Sequence, residues 1–183
     1  MIRLFKLDGF WMFETDDGYK IKIRKADIND REALIKFYQS LDIETIYDRF
    51  LSVIRNFKSI VEKITSNDTG FCVVAEFNGK IIGDGEVVFI EKPVRAEVAL
   101  VVKREWRRKR IGTALILVLR EIALEKGIKW GYATISLSNV ASLKIAKKMN
   151  AEIKRIDVNT VKVCLPLTGE KEGCWKGKII RSS

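Results

Sequence analysis

The chain is 183 residues long, 47% hydrophobic and 32% charged, with a formal net charge of +10 and no histidine. That length suits one well-buried domain rather than two, and the lack of histidine excludes Ser-His and Cys-His nucleophile schemes and a His general base. No apolar run approaches the ~20 residues a membrane helix needs, and Ile2, Leu4, Phe5 and Leu7 are broken up by charges, unlike a signal peptide, so a cytoplasmic protein is expected.

Phe10 to Glu14 and Tyr19 to Arg24 flank the turn-rich Thr15-Asp16-Asp17-Gly18 and read as a hairpin. Its second strand puts Tyr19, Ile21 and Ile23 on one face and Lys20, Lys22 and Arg24 on the other. Asp27, with Asp30 three residues on, can cap a helix whose apolar positions Leu34, Phe37, Tyr38 and Leu41 follow helical spacing. Ile43 to Phe50, and then Phe57, Ile60, Val61 and Ile64, give two further short helices before the polar loop from Thr65 to Gly70.

Phe71 to Phe77, Asn78-Gly79 and the strand from Lys80 to about Ile90 form a strong hairpin signal. The chain turns near Glu91-Lys92-Pro93 and returns as the strand Ala96 to Val102. A helix over Gly112 to Lys126 is apolar almost all round in its first half, with Gly127 placed to end it. Trp130 to Ser136 reads as a strand. A helix capped by Ser138 or Asn139 follows, ending at Met149 with Asn150 in a left-handed stop, and a last hairpin covers Glu152 to Asp157 and Val161 to Leu165. Residues 1–18 are expected to be a strand and turn extension, 19–167 the domain, and 168–183 a polar tail carrying Trp175.

The informative stretch joins the strand ending at Val101-Val102 to the helix near Gly112. Its loop, Lys103 to Arg110, holds six basic residues against one Glu. The unsatisfied N–H groups of the following helix point into that loop, which suits a multiply phosphorylated anion. A solvated basic face or a nucleic-acid patch would have the same charge pattern.

Arg107-Arg108-Lys109-Arg110-Ile111-Gly112 resembles motif A of the GNAT superfamily of acetyl-CoA-dependent N-acetyltransferases, Arg/Gln-x-x-Gly-x-Gly/Ala, with Arg110 at the first glycine position. The resemblance extends over roughly Tyr19 to Leu167 and implies an α/β fold: a mixed, mostly antiparallel central sheet flanked by helices. It implies that acetyl-CoA is the co-substrate, bound by Arg107, Arg108, Lys109, Arg110, Ile111, Gly112 and Thr113 at the pyrophosphate. Leu100, Val101 and Val102 would meet the pantetheine arm through their backbone. Asn139-Val140-Ala141-Ser142 resembles the family's Asn-x-x-Ala/Ser, implying cofactor contacts from Asn139 and Ser142; the same asparagine could be an ordinary helix cap.

Glu97, in Arg95-Ala96-Glu97-Val98-Ala99, resembles the glutamate that histone-type members use as general base, and Glu86 on the neighbouring strand is the second candidate. Burial among apolar neighbours would have to raise the carboxyl pKa for that role; Glu97 could equally sit on a solvent face. The tyrosine that many members place seven residues after the motif asparagine is Ala146 here, and the family's Gly-Phe is Asn150-Ala151.

That loss, with Tyr47-Asp48-Arg49-Phe50, resembles the stand-alone members that acetylate protein lysines. A small amine such as a polyamine is the alternative acceptor, and Asp42, Glu44, Asp48 and Glu62 could give it an acidic surface. A non-catalytic acetyl-CoA sensor is a second alternative. Trp106 is the only aromatic in the basic loop, so nucleic acid ranks low. A membrane is not an expected partner, and the chain is expected to be a monomer or homodimer. Cys72, Cys164 and Cys174 are odd in number and lack metal-ligand spacing, so neither zinc nor a disulfide framework is expected.

Overall fold

The computed structural model describes residues 2–54, 56–169 and 174–175. The chain forms, in order, β1 (Arg3–Leu7), β2 (Phe10–Glu14), β3 (Lys20–Lys25), α1 (Arg31–Gln39), α2 (Ile43–Phe50), α3 (Phe57–Thr65), β4 (Gly70–Phe77), β5 (Lys80–Glu91) and β6 (Arg95–Val102). Then come α4 (Ile111–Glu125), β7 (Trp130–Ser136), α5 (Val140–Lys148), β8 (Glu152–Arg155) and β9 (Thr160–Pro166). Short 3₁₀ turns cover Ile28–Asp30 and Arg104–Trp106. Among the described residues no helix is long and apolar enough to cross a membrane.

The strands make one sheet in the order β1-β2-β3-β4-β5-β6-β7-β9-β8. Every neighbouring pair is antiparallel except β6 and β7, which run parallel. Period-two alternation gives the sheet two apolar faces. On one face α4 buries Ala114, Leu115, Val118, Leu119 and Ile122 against Phe71, Val73, Val87 and Val98, and each fully buried Leu or Ile is worth about 1.5–3 kcal/mol. Helix α5 joins that face through Ala146 and Leu143, packed with Ile135, Val161 and Val163. On the other face α1 and α3 bury Leu34, Phe37, Tyr38, Val61 and Ile64 against Cys72, Val74 and Val101.

The Asn78-Gly79 turn closes β4 and β5 with both residues at positive φ, 49° and 73°, as a two-residue hairpin of primed type requires. Asp27 caps the 3₁₀ turn in a reciprocal capping box with Asp30, and α1 begins one turn later. Helix α4 starts at Ile111, one residue before the glycine that the sequence suggests.

Two features differ from expectation. The residues before the first expected hairpin add β1, which pairs with β2 across a turn at Gly9, and Trp11 and Phe13 of β2 lie in the main core. Charges that break up the apolar run hide this strand, because β1 is an edge with one solvated face. Cys164 and Cys174 form a disulfide where none was expected. After β9 the chain reverses at Leu167–Gly169, and the two Cα atoms come within 6.0 Å although ten residues separate them. Tyr132 donates its hydroxyl to the Cys174 carbonyl, and the Trp175 indole N–H donates to Glu152 at 2.5 Å. The rest of the tail lies outside the described residues.

Candidate active site

The site begins where the sheet opens. Strands β6 and β7 pair only over Arg95–Glu97 with Trp130–Tyr132, and beyond the pair Glu97–Tyr132 they separate. The edge of β6 from Val98 to Val102 therefore faces a cleft rather than a strand. On the α4 side the cleft is walled by Val98, Leu100, Ile116, Gly131, Ile135 and Ala146. It continues into a cavity of about 450 Å³ lined by Leu100, Val101, Val102, Arg107, Arg108, Arg110, Ile111, Gly112, Thr113, Asn139 and Ser142. Of the twelve residues expected to bind cofactor, only Lys109 is absent from that wall.

The loop leading into α4 is shaped by its backbone. Arg108 and Arg110 both take positive φ, 62° and 63°, and Arg110 is the N-cap of α4. Left-handed backbone is disfavoured for a residue with a Cβ, yet here an arginine replaces the glycine of the motif. The first helical N–H to find an intrahelical acceptor is that of Ala114, bonded to the Arg110 carbonyl at 3.0 Å. The amides of Ile111, Gly112 and Thr113 are therefore open to a ligand at the positive end of the helix dipole. The position of Gly112 favours a small residue, since a Cβ there would stand 3.1 Å from Ile145 Cδ1. Asn139 caps α5, accepting from the Ser142 amide at 3.1 Å, so it is both cap and cavity wall.

Most basic side chains of the loop are already engaged. Arg107 turns inward and donates to Thr45 Oγ1 at 2.6 Å and to the Val102 carbonyl at 3.2 Å. Arg104 bridges Asp42 and Glu44 at 3.0 and 2.6 Å. Lys109 pairs with Asp17, and Arg110 Nε lies 3.1 Å from Asp16. Arg104, Lys109 and Arg110 are thus paired with carboxylates of the same chain.

The other side of the fork is built from side chains. Glu97 and Glu86 lie on the face that carries α1–α3; Glu97 pairs in register with Val88, and Glu86 with Ala99. Together with Arg49, Phe50, Leu51 and Thr134 they line a cavity of about 190 Å³. Glu97 is exposed rather than buried among apolar neighbours, so its candidacy rests on its place at the fork of β6 and β7. Glu86 is mostly buried and ion-paired to Arg49, whose own side chain is only 6% exposed. Its Oε2 has no hydrogen-bond partner among the described residues.

Sequence reasoning missed what lies beneath. Asp84 is fully buried two residues before Glu86 and accepts a hydrogen bond from Tyr38 at 2.9 Å. Burial pushes its carboxyl up to about 7, against the pull of Arg49. The Tyr38 hydroxyl is pushed well above its usual value, chiefly by burial and then by Asp84. Arg49 holds its proton more tightly than usual, because Glu86, Tyr38 and Asp84 outweigh the opposing effect of burial. The signal was available: in Gly83-Asp84-Gly85-Glu86 two carboxylates alternate on a strand whose neighbours are core. Arg49, in the tyrosine-arginine-phenylalanine segment of α2, is a buried partner rather than a surface charge.

The sequence profile of the acetyltransferase (GNAT) family matches residues 31–151, two strands of the fork and both helix starts included. The chain belongs to the GNAT acetyltransferase family. As a member it is an N-acetyltransferase with acetyl-CoA as co-substrate. The GNAT fold is seen again in the GNAT domain of S. lividans PAT, with a TM-score of 0.80 at 21% identity, covering 88% of this chain and 99% of that one. Two further GNAT-like neighbours were solved with ligand. They are yncA of Salmonella typhimurium with its cofactor acetyl-CoA (TM-score 0.68, 16% identity, 80% and 94% covered) and PaiA N-acetyltransferase of Thermoplasma acidophilum with coenzyme A (0.63, 21%, 80% and 98%).

Proposed function

We propose that the GNAT domain acetylates a lysine side chain of another protein and that Glu97 takes the proton of the attacking amine. The observation that carries this reading is the position of Glu97 as the last residue of β6 paired to β7, at the point where the cleft opens. Acetyl-CoA, when bound, supplies a thioester whose acetyl carbon the amine attacks. Arg107, Arg108 and residues 110–113 with Asn139 and Ser142 would hold its phosphates, and the open edge of β6 its arm.

A free lysine amine, with pKa ≈ 10.4, is neutral about once in a few thousand molecules at pH 7, so a carboxylate at the attack point has work to do. Glu86 is the poorer candidate, since Arg49 holds it through an ion pair. Ala146 is buried where other members place a tyrosine, and a thiol of pKa about 8.5 departs without that acid.

The protein acceptor is favoured by what borders the entrance. Helix α2 lines the cleft with Thr45, Asp48 and Arg49, while Ile43 and Tyr47 on its outer side, and Val53 just after it, are exposed. Apolar area beside the entrance suits a protein surface. The acidic surface that a polyamine would use is weakened. Asp42 and Glu44 are bound by Arg104, burial pushes the Asp48 carboxyl up, and Glu62 stands outside these cavities.

Release of the coenzyme A thiol, followed with lysine-containing proteins and with spermidine, is the test. Glu97→Gln is expected to lower kcat by ~10²-fold with acetyl-CoA affinity unchanged. An unchanged rate removes Glu97 from the base role, preference for spermidine removes the protein acceptor, and binding without turnover supports a sensor.

A further inference from the structure

The basic loop is braced by a turn that precedes the family match. Between Arg108 and Arg110, the two residues in left-handed backbone, Lys109 reaches out of the cavity to Asp17 and lies 4.9 Å from the Tyr19 ring. Arg110 Nε lies 3.1 Å from Asp16. Asp17 is itself oriented by Thr15, whose hydroxyl donates to it at 2.7 Å. Hydrogen bonds from Lys109 first and Thr15 second hold its carboxyl below the usual range. Below the loop, Tyr19 and Phe77 both pack on Trp106 of the 3₁₀ turn, at 5.4 and 4.8 Å between ring centres. The β2–β3 turn and the basic loop are thus joined by two ion pairs and an aromatic cluster.

We propose that Asp16 and Asp17 are positioning residues of the cofactor site. By drawing the Arg110 and Lys109 side chains outward, they hold the loop in the left-handed form that turns its N–H groups toward the pyrophosphate. In the motif a glycine takes that form unaided; here an arginine is held in it. This rests on the acetyl-CoA reading of the cavity. It also makes a prediction of unusual sign. Removing two carboxylates beside a phosphate site raises the local positive potential, which by itself would tighten binding. Loss of positioning loosens it.

The experiment is calorimetric titration with coenzyme A of the parent, Asp16→Asn, Asp16→Asn/Asp17→Asn, Arg110→Gly, and Asp16→Asn in the Arg110→Gly background. The double asparagine variant is expected to bind coenzyme A ~3- to 10-fold more weakly, in line with two exposed ion pairs. Its melting temperature should be unchanged, because both carboxylates are exposed. In the Arg110→Gly background, Asp16→Asn should have no further effect, since glycine needs no brace. The KM for S-acetylpantetheine, which lacks the pyrophosphate, should match that of the parent. Unchanged or tighter coenzyme A binding by the double variant would overturn the proposal. So would equal weakening by Asp16→Asn in both backgrounds. A parent that fails to bind coenzyme A would instead strike the cofactor reading, and this inference with it.

Discussion

The two ends of the cleft are made of different material. At the proposed phosphate end the groups open to a ligand are main-chain amides of Ile111, Gly112 and Thr113, set by the dihedrals of Arg108 and Arg110. At the proposed acceptor end they are the side chains of Glu97, Glu86 and Arg49, backed by the buried Asp84 and Tyr38. A backbone site tolerates changes of residue as long as the loop keeps its shape, which is how an arginine can stand where the motif has glycine. A side-chain site is defined by its charges, and each depends on its neighbour.

That contrast can be broken most forcefully at Arg49. Arg49→Met leaves Glu86 buried beside Asp84 with no cation, and is expected to cost about 3–5 kcal/mol in urea unfolding. Arg49→Met/Glu86→Met removes both charges and should recover most of that stability. If the single variant is as stable as the parent, the buried pair is not the structural unit described here.

Asp84 gives the next effect. Its folded pKa is raised, so its contribution to stability is fully present below the unfolded value of 3.8 and is lost as pH rises to about 7. The loss is on the order of a few kcal/mol. Thermal melts between pH 4.5 and 8 should therefore show the parent weakening with rising pH more than Asp84→Asn does, and parallel profiles would refute the assignment.

The smallest effect belongs to the phosphate end. Asn139→Ala loses the cap of α5, worth about 0.5–2 kcal/mol, and should weaken acetyl-CoA only several-fold, because the amides of α4 remain. A loss of all binding would mean that side chains, not backbone, hold the phosphates.

The same contrast explains what could be read from the sequence. The Asn78-Gly79 hairpin, the β6–α4 junction, the Asn139 cap and the left-handed Asn150 are local devices whose chemistry lies within a few residues, and each is found in place. The residues proposed for the cofactor could be named for the same reason, since most of them follow one another along the loop. The Tyr38–Asp84 and Arg49–Glu86 contacts join α1 and α2 to β5 across 46 and 37 residues, and no local pattern reports them. Glu97 was visible as a residue, but the choice between a buried and a solvent-facing position was left open, because that depends on how far β6 and β7 part. The Cys164–Cys174 bridge depends on a chain reversal after β9 that cysteine spacing alone does not reveal.

The most direct measurement is a calorimetric titration of the protein and of Gly112→Glu with acetyl-CoA. Glutamate at that position meets Ile145 and sets a carboxylate against the pyrophosphate, a like-charge contact costing several kcal/mol. Binding by the parent and its loss by ~100-fold or more in the variant is the expected result. Equal affinity in both would place the cofactor elsewhere and contradict a phosphate site built at the start of α4.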